Sequence, residues 1–229
     1  MGSKLIWYGH AALGLDTNGS HILVDPYLTG NPAASTTADS LKADFILVTH
    51  GHSDHVGDTV AIAKRTNAMV ISNFEIAGWL QKQGVKYTHG QHLGGGFKYP
   101  FGYLKLTLAI HGSALPDGAN GGNPAGFLLT TLEDQKIYLA GDTGLFGDMR
   151  LIGEEGIDLA VIPIGDNYTM GPEDALHAVK LLNPLHVIPI HFNTFDLIHQ
   201  DAQAWRKQVE SQTDAKVHIL KPGESFFLE

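Results

Sequence analysis

The stretch "VTHGHSDHVGD", residues 48–58, holds three histidines and two aspartates. Within it His50, His52, Asp54 and His55 keep the spacing H-x-H-x-D-H. Imidazole and carboxylate are ligands that zinc prefers and that iron and manganese accept. On an extended segment alternate side chains point the same way, so His50 and His52 can share one ion. Asp54 and His55 follow as the chain turns and can reach a second. Gly51 and Gly57 are expected to let the backbone bend tightly around the cluster. This spacing, directly after an apolar run, favours a metal centre over a solvated histidine-rich loop.

Two ions need more ligands than four. His111 follows "LKLTLAI", Asp142 follows "KIYLA" inside "AGDTG", and His191 follows "HVIPI". Each is a ligand-type residue at the carboxyl end of an apolar run. Asp142 has two carboxylate oxygens and suits a bridge. Two ions about 3.5–4 Å apart can bridge a hydroxide and lower its pKa, so that a nucleophile exists at neutral pH. The expected reaction is attack of that hydroxide on an ester, lactone or phosphoester bond of a small substrate, with no covalent enzyme intermediate. The chain has no G-x-S-x-G elbow and no cysteine, P-loop or dinucleotide fingerprint to argue for other chemistry.

The elements that would position these residues are short. Apolar runs at 5–8, 11–15, 21–25, 45–49, 69–72, 104–110, 126–131, 136–140, 159–163, 186–190, 216–220 and 225–228 read as strands. "TTLEDQKIY" signals a hairpin. Helices are expected after Asp58 as N-cap, from Asn73 to Gly84, from Pro172 to Asn183, and from Asp201 with Trp205 and Val209 on one face. A strand-rich first third followed by alternating strands and helices predicts two face-to-face mixed sheets with outer helices, a four-layer αββα sandwich in one domain, 1–229. "GSALPDGANGGNPAG", 112–126, reads as a loop inside that domain, long enough to be functional or mobile.

Composition narrows the function. With 43% apolar residues a sizeable core is available. No apolar run has the length of a membrane span and the N-terminus lacks a signal-peptide h-region, so the expected location is the cytoplasm, away from membranes. The absence of cysteine excludes disulfides and thiolate ligands. A net charge of −9 with scattered basic residues is a poor match for nucleic acid. A small-molecule substrate is expected, and a homo-oligomer is left open.

H-x-H-x-D-H, a later histidine, a "GDTG" aspartate and a final histidine together resemble the signature of the metallo-β-lactamase superfamily. "YGHAAL", "ILVDPYLTGNP", "GDNYTMGPEDA" and "KPGESF" resemble its small, mostly uncharacterised metal-dependent hydrolases, a branch related to ascorbate-6-phosphate lactonases and to a phospholipase D acting on N-acyl phosphatidylethanolamine. The resemblance spans nearly the whole chain. It implies that His50, His52 and His111 hold one divalent ion, Asp54, His55 and His191 a second, and that Asp142 bridges them. The ions would be zinc, with manganese or iron as alternatives. It also implies catalytic roles for Asp54, orienting the hydroxide, and for His10 of "YGHAAL", as proton donor or substrate contact. Asp25 either orients a ligand from behind or merely starts an Asp-Pro turn. Asn167, Tyr168, Asn193 and Thr194 are candidates to line the cleft. His89, His92, His177, His186, His199 and His218 are expected to be structural or solvated.

Other readings compete. A phosphodiesterase or phospholipase fits one relative, but no amphipathic membrane helix is evident. A non-catalytic metal-binding module would not need seven ligands. A di-iron redox protein of this family would carry Glu in place of His52 and a flavin domain.

Overall fold

The structure is a computed structural model that describes residues 2–229. Its first sheet contains β1 (Ser3–Gly9), β2 (Ala12–Thr17), β3 (Ser20–Val24), β4 (Phe45–Leu47), β5 (Met69–Asn73) and β6 (Thr88–Gln91), and is joined at its edge by β14 (Ser225–Leu228) from the end of the chain. The second contains β7 (Gly96–Tyr99), β8 (Gly102–Leu108), β9 (Ala125–Thr131), β10 (Lys136–Leu139), β11 (Leu159–Pro163), β12 (His186–Ile190) and β13 (Lys216–Val217). Six α-helices intervene among the described residues: α1 (Ser53–Val56), α2 (Thr59–Thr66), α3 (Phe74–Lys82), α4 (Met149–Gly153), α5 (Pro172–Leu182) and α6 (Ala202–Gln212).

Alternation along the strands sets the layers. In the first sheet Ile22, Val24, Leu47 and Ile71 join a cluster with Leu104, Leu106, Phe127, Leu129 and Ile137 of the second sheet. Their neighbours Leu23, Ile46 and Val70 face the other way and pack with Ile62 of α2 and Ile76 and Leu80 of α3. Buried Ala175, Val179 and Leu182 of α5 and Trp205 and Val209 of α6 join the larger cluster beside the second sheet. The result is the expected four-layer αββα sandwich.

Each sheet is antiparallel on one side and parallel on the other. β14, β1, β2 and β3 pair antiparallel, while β3 to β6 pair parallel. β7 to β10 pair antiparallel, while β10 to β13 pair parallel. It follows that β1, β3 and β4 share one direction, as do β8, β10, β11 and β12. Their carboxyl ends deliver His10, Asp25, His50, His111, Asp142 and His191, the location where α/β sheets commonly bind ligands.

Local expectations mostly agree with the backbone. The β9–β10 hairpin forms, and Pro172 opens α5, which Asn183 ends in the left-handed region. Asp201 caps α6 by accepting from Ala204 N. Asp58 occupies the N-cap position of α2, its carbonyl accepting from Ile62 N, but its side chain makes no capping bond. Its carboxylate accepts instead from Leu28 N and Thr29 N, tying that loop down. β6 and β7 are strands the apolar pattern misses, because "THGQ" is polar and half-buried and "GFKY" is short and exposed over its first three residues. The 216–220 run pairs only over its first two residues. No helix among the described residues is long and apolar enough to cross a membrane.

Candidate metal centre

The H-x-H-x-D-H segment leaves β4 extended and then turns into α1, which carries Asp54 and His55. Gly57, at φ 41°, ends that turn where a Cβ would meet Pro26 O and Tyr27 Cα, both at 2.6 Å. Gly51 acts differently from the expected bend. Its backbone is ordinary, but a Cβ would lie 2.8 Å from Ser113 O. It permits close approach of the 112–126 loop rather than curvature.

Three sets of ligand-type atoms each lie within 4.8 Å: a first group of His50, His52 and His111, a second group of Asp54, His55 and His191 together with His10, and a set that joins Asp25 to His50 and His55. In the first, His52 Nδ1 lies 3.1 Å from His50 Nε2 and 3.2 Å from His111 Nε2. Asp142 Oδ2 stands between the groups, 3.6 Å from His111 Nε2, 3.3 Å from His55 Nε2 and 3.0 Å from His191 Nε2. His50, His55, Asp142 and His191 are buried, and His52 and His111 half-buried.

Asp142 and the two imidazoles of the second group are close but misaligned. His55 Nε2, both ring nitrogens of His191 and Asp142 Oδ1 are buried and make no hydrogen bond. Buried polar atoms without partners are costly. Lone pairs that converge on a common point instead of on each other are the arrangement a cation satisfies, so the residues present fit divalent metal ions.

The surroundings set the tautomers. Asp25 Oδ1 accepts Thr49 N at 2.8 Å, and its Oδ2 accepts the Thr49 hydroxyl at 2.6 Å. The same Oδ2 lies 2.7 Å from His55 Nδ1, which must therefore donate. With its own proton on Asp25, Thr49 Oγ1 accepts from His50 Nδ1 at 3.0 Å. Both histidines then hold a proton on Nδ1 and turn Nε2 toward the centre. Asp25 thus lies behind the candidate ligands, and its left-handed φ of 43° also makes the turn into Pro26.

His10 lies beneath Asp54, fully buried. Its Nε2 is 3.1 Å from Asp54 Oδ2 and its Nδ1 is 2.9 Å from Thr194 Oγ1. A carboxylate can only accept, so Nε2 carries the proton and Nδ1 receives the Thr194 hydroxyl. Burial pulls the His10 imidazole down to about 4 against the Asp54 hydrogen bond. For Asp54, burial is outweighed by the His10 hydrogen bond and the His55 charge, which hold it below the usual carboxylate range. Burial also lowers His50 and His111. At His55 burial is overcome by Asp142 and Asp25, which raise it well above its ordinary value, and His191 and His55 keep Asp142 well below its own. His10, Asp25 and His191 all adopt left-handed backbone, a concentration of strain typical of functional sites.

Above the centre is a cavity of about 460 Å³, lined by Asp54, Asp142, His52, His111 and His191 with Ser53, Tyr27, Tyr168 and Phe195. Of the proposed cleft residues Tyr168 lines it. Thr194 lies behind it on His10, and Asn193 instead clamps Gln200 through both amide atoms. Asn167 is exposed and outside the lining. Tyr27, Phe195, Thr49 and Thr143 escaped the sequence reading. Thr143 accepts from Ile110 N at its hydroxyl and from Met170 N at its carbonyl, tying together the segments that carry His111 and Tyr168. The 112–126 loop is pinned: Ser113 Oγ accepts Gly51 N, Asn73 Nδ2 donates to Gly121 O, Trp79 Nε1 donates to Asp117, and Leu115 is buried.

The other histidines lie elsewhere. His89 packs on Phe97 and Tyr99, His92 on Phe74, and His186 pairs with His218, while His177 and His199 are exposed.

Comparison with known proteins agrees with this geometry. A family model described as a beta-lactamase superfamily domain matches residues 4–191. A protein of Heliobacterium modesticaldum called a UPF0173 metal-dependent hydrolase is 47% identical, the match covering 97% of this chain and 96% of that one. One of the same name from Pelotomaculum thermopropionicum is 49% identical over 98% of this chain and 100% of its own. The solved structure of Igni18, described as a novel metallo hydrolase of Ignicoccus hospitalis, superposes with a TM-score of 0.91 at 38% identity, covering 100% of this chain and 99% of that one. The chain belongs to the beta-lactamase superfamily and, within it, to the UPF0173 metal-dependent hydrolases.

Proposed function

We propose that the protein is a hydrolase dependent on two divalent cations, zinc in the first instance, that cleaves an ester or lactone C–O bond of a small substrate. His50, His52 and His111 would hold one cation and Asp54, His55 and His191 the other, with Asp142 shared. The observation that carries this reading is the position of the buried Asp142 Oδ2, within 3.0–3.6 Å of ring nitrogens from both groups. When bound, such cations supply a nucleophile from water near neutral pH and polarise the bond under attack.

The chain's own residues order the rest. Hydrolysis gives the hydroxyl of water to the acyl carbon, breaks the C–O bond and gives the proton to the leaving oxygen. Asp54 is a carboxylate within the cavity, so it orients the attacking water and holds that proton in transit. His10 does not line the cavity. It acts through Asp54, fixing one carboxylate oxygen by its Nε2–H while Thr194 fixes the ring. Asp25 sets the His55 tautomer directly and the His50 tautomer through Thr49.

The test is a hydrolysis panel on zinc- and manganese-loaded protein, offering a lactone, a phosphodiester, a thioester and a β-lactam, with Asp54→Ala as control. Lactone turnover that disappears in the variant supports the proposal. A rate shared by Asp54→Ala, or turnover of the phosphodiester alone, contradicts it.

A further inference from the structure

The cavity floor is acidic and imidazole-rich, but its walls are aromatic. Tyr27, Tyr168 and Phe195 line it, and no Lys or Arg does among the described residues. Tyr168 is 52% exposed and Phe195 41%, so two large rings stand open to solvent beside the site. Open aromatic surface next to a polar centre marks a place where a ligand completes the packing.

The backbone that carries all three rings is set in advance. Tyr27 turns its hydroxyl away, donating to Gly30 O at 2.8 Å, and its ring meets His10 edge-on. Tyr168 follows Asp166 and Asn167, both left-handed. That turn is closed by Tyr168 N donating to Asp166 O, and Met170 N ties it to Thr143 beside Asp142. Phe195 follows Thr194, which is fixed on His10, and Ile198 N donates to Phe195 O while Asn193 clamps Gln200. Segments held this firmly lose little backbone freedom on binding.

Charge decides between substrate classes. A phosphate or carboxylate remote from the scissile bond would lose water and find no side-chain cation on these walls. An aryl or short alkyl group would meet ring faces.

We propose that the substrate is an uncharged ester or lactone with an apolar, preferably aromatic, group outside the scissile bond, seated on Tyr168 and Phe195. Metabolites with a remote phosphate are poor substrates. This rests on the hydrolase reading above.

The experiment compares three lactones on the zinc-loaded protein: δ-valerolactone, its 5-phenyl derivative and a phosphorylated sugar δ-lactone. In each the ring C–O bond breaks and water yields the hydroxy acid. The phenyl compound should have the lowest KM and the phosphorylated one the highest. Tyr168→Ser and Phe195→Ser should each shrink the kcat/KM advantage of phenyl over unsubstituted lactone by roughly tenfold, through KM. In parallel, saturation-transfer NMR reads binding of uncharged 2-phenylacetamide, with signal expected from wild type and lost in the double Ser variant. Binding that follows this pattern without turnover of any lactone sinks the hydrolase reading and leaves the aromatic subsite standing. Preference for the phosphorylated lactone, an unchanged phenyl advantage in both variants, or no phenyl binding overturns the inference, whatever the turnover.

Discussion

Strand β12 carries a histidine at each end, and the two meet different surroundings. His191, past the carboxyl end, is buried with its Nε2 3.0 Å from Asp142 Oδ2 and 3.9 Å from Asp54 Oδ2. His186, at the amino end, is half-exposed, with its Nδ1 3.0 Å from His218 Nε2 and its ring against Phe226. The nearby carboxylates there are already engaged: Asp158 accepts Lys136 N, and Glu210 accepts Val217 N and Arg206. Two imidazoles alone complete each other with one hydrogen bond. Imidazoles around a buried, misaligned carboxylate do not, and that difference separates a cation site from a histidine pair.

The comparison breaks most visibly at Asp142. Asp142→Asn should lower kcat/KM on the lactone by about 10³-fold or more and reduce bound metal, because its Oδ2 lies within 3.0–3.6 Å of ring nitrogens from both groups. Retention of full activity would remove the shared-carboxylate assignment. Asp25→Ala should weaken zinc about 10- to 100-fold in chelator competition, since it releases the tautomers of His55 and His50. An unchanged affinity would reduce Asp25 to a turn residue.

Smaller effects sharpen the contrast. Thr194→Val leaves His10 Nδ1 without its donor, and should lower kcat about tenfold or less with KM little changed. An effect on KM alone would place Thr194 in substrate binding. His218→Gln should leave metal content and turnover intact while changing the acid limb of stability. Burial lowers both His186 and His218 from 6.5, helped by Lys216 at His186 and by His186, Arg206 and Lys216 at His218, with Asp158 and Glu210 opposing. A histidine depressed in the fold contributes stability above its unfolded pKa, lost as pH falls from about 6.5. The variant should therefore show a shallower loss of Tm between pH 7 and pH 5, and a slope equal to wild type would refute it.

Much of this was legible in the sequence, for physical reasons. Strict spacing and strand-end position mark His50, His52, Asp54, His55, His111, Asp142 and His191, because few other roles demand ligand-type side chains after apolar runs. The αββα layering followed from alternating runs. Thr49, Thr143, Tyr27 and Phe195 were not legible, since each reaches the site only through tertiary approach. Gly51 could be read as special, but its reason, contact with Ser113 O, lies 62 residues away. The sequence marked 112–126 as a loop. Its pinning depends on partners at Asn73 and Trp79 that no local pattern predicts.

Metal stoichiometry tests the central claim most directly. Zinc-loaded, dialysed protein should contain two equivalents per chain by elemental analysis. His111→Ala and His191→Ala should each retain one, and His186→Ala/His218→Ala should still retain two. Loss of an equivalent from the His186/His218 variant, with two kept by His111→Ala and His191→Ala, would contradict the account.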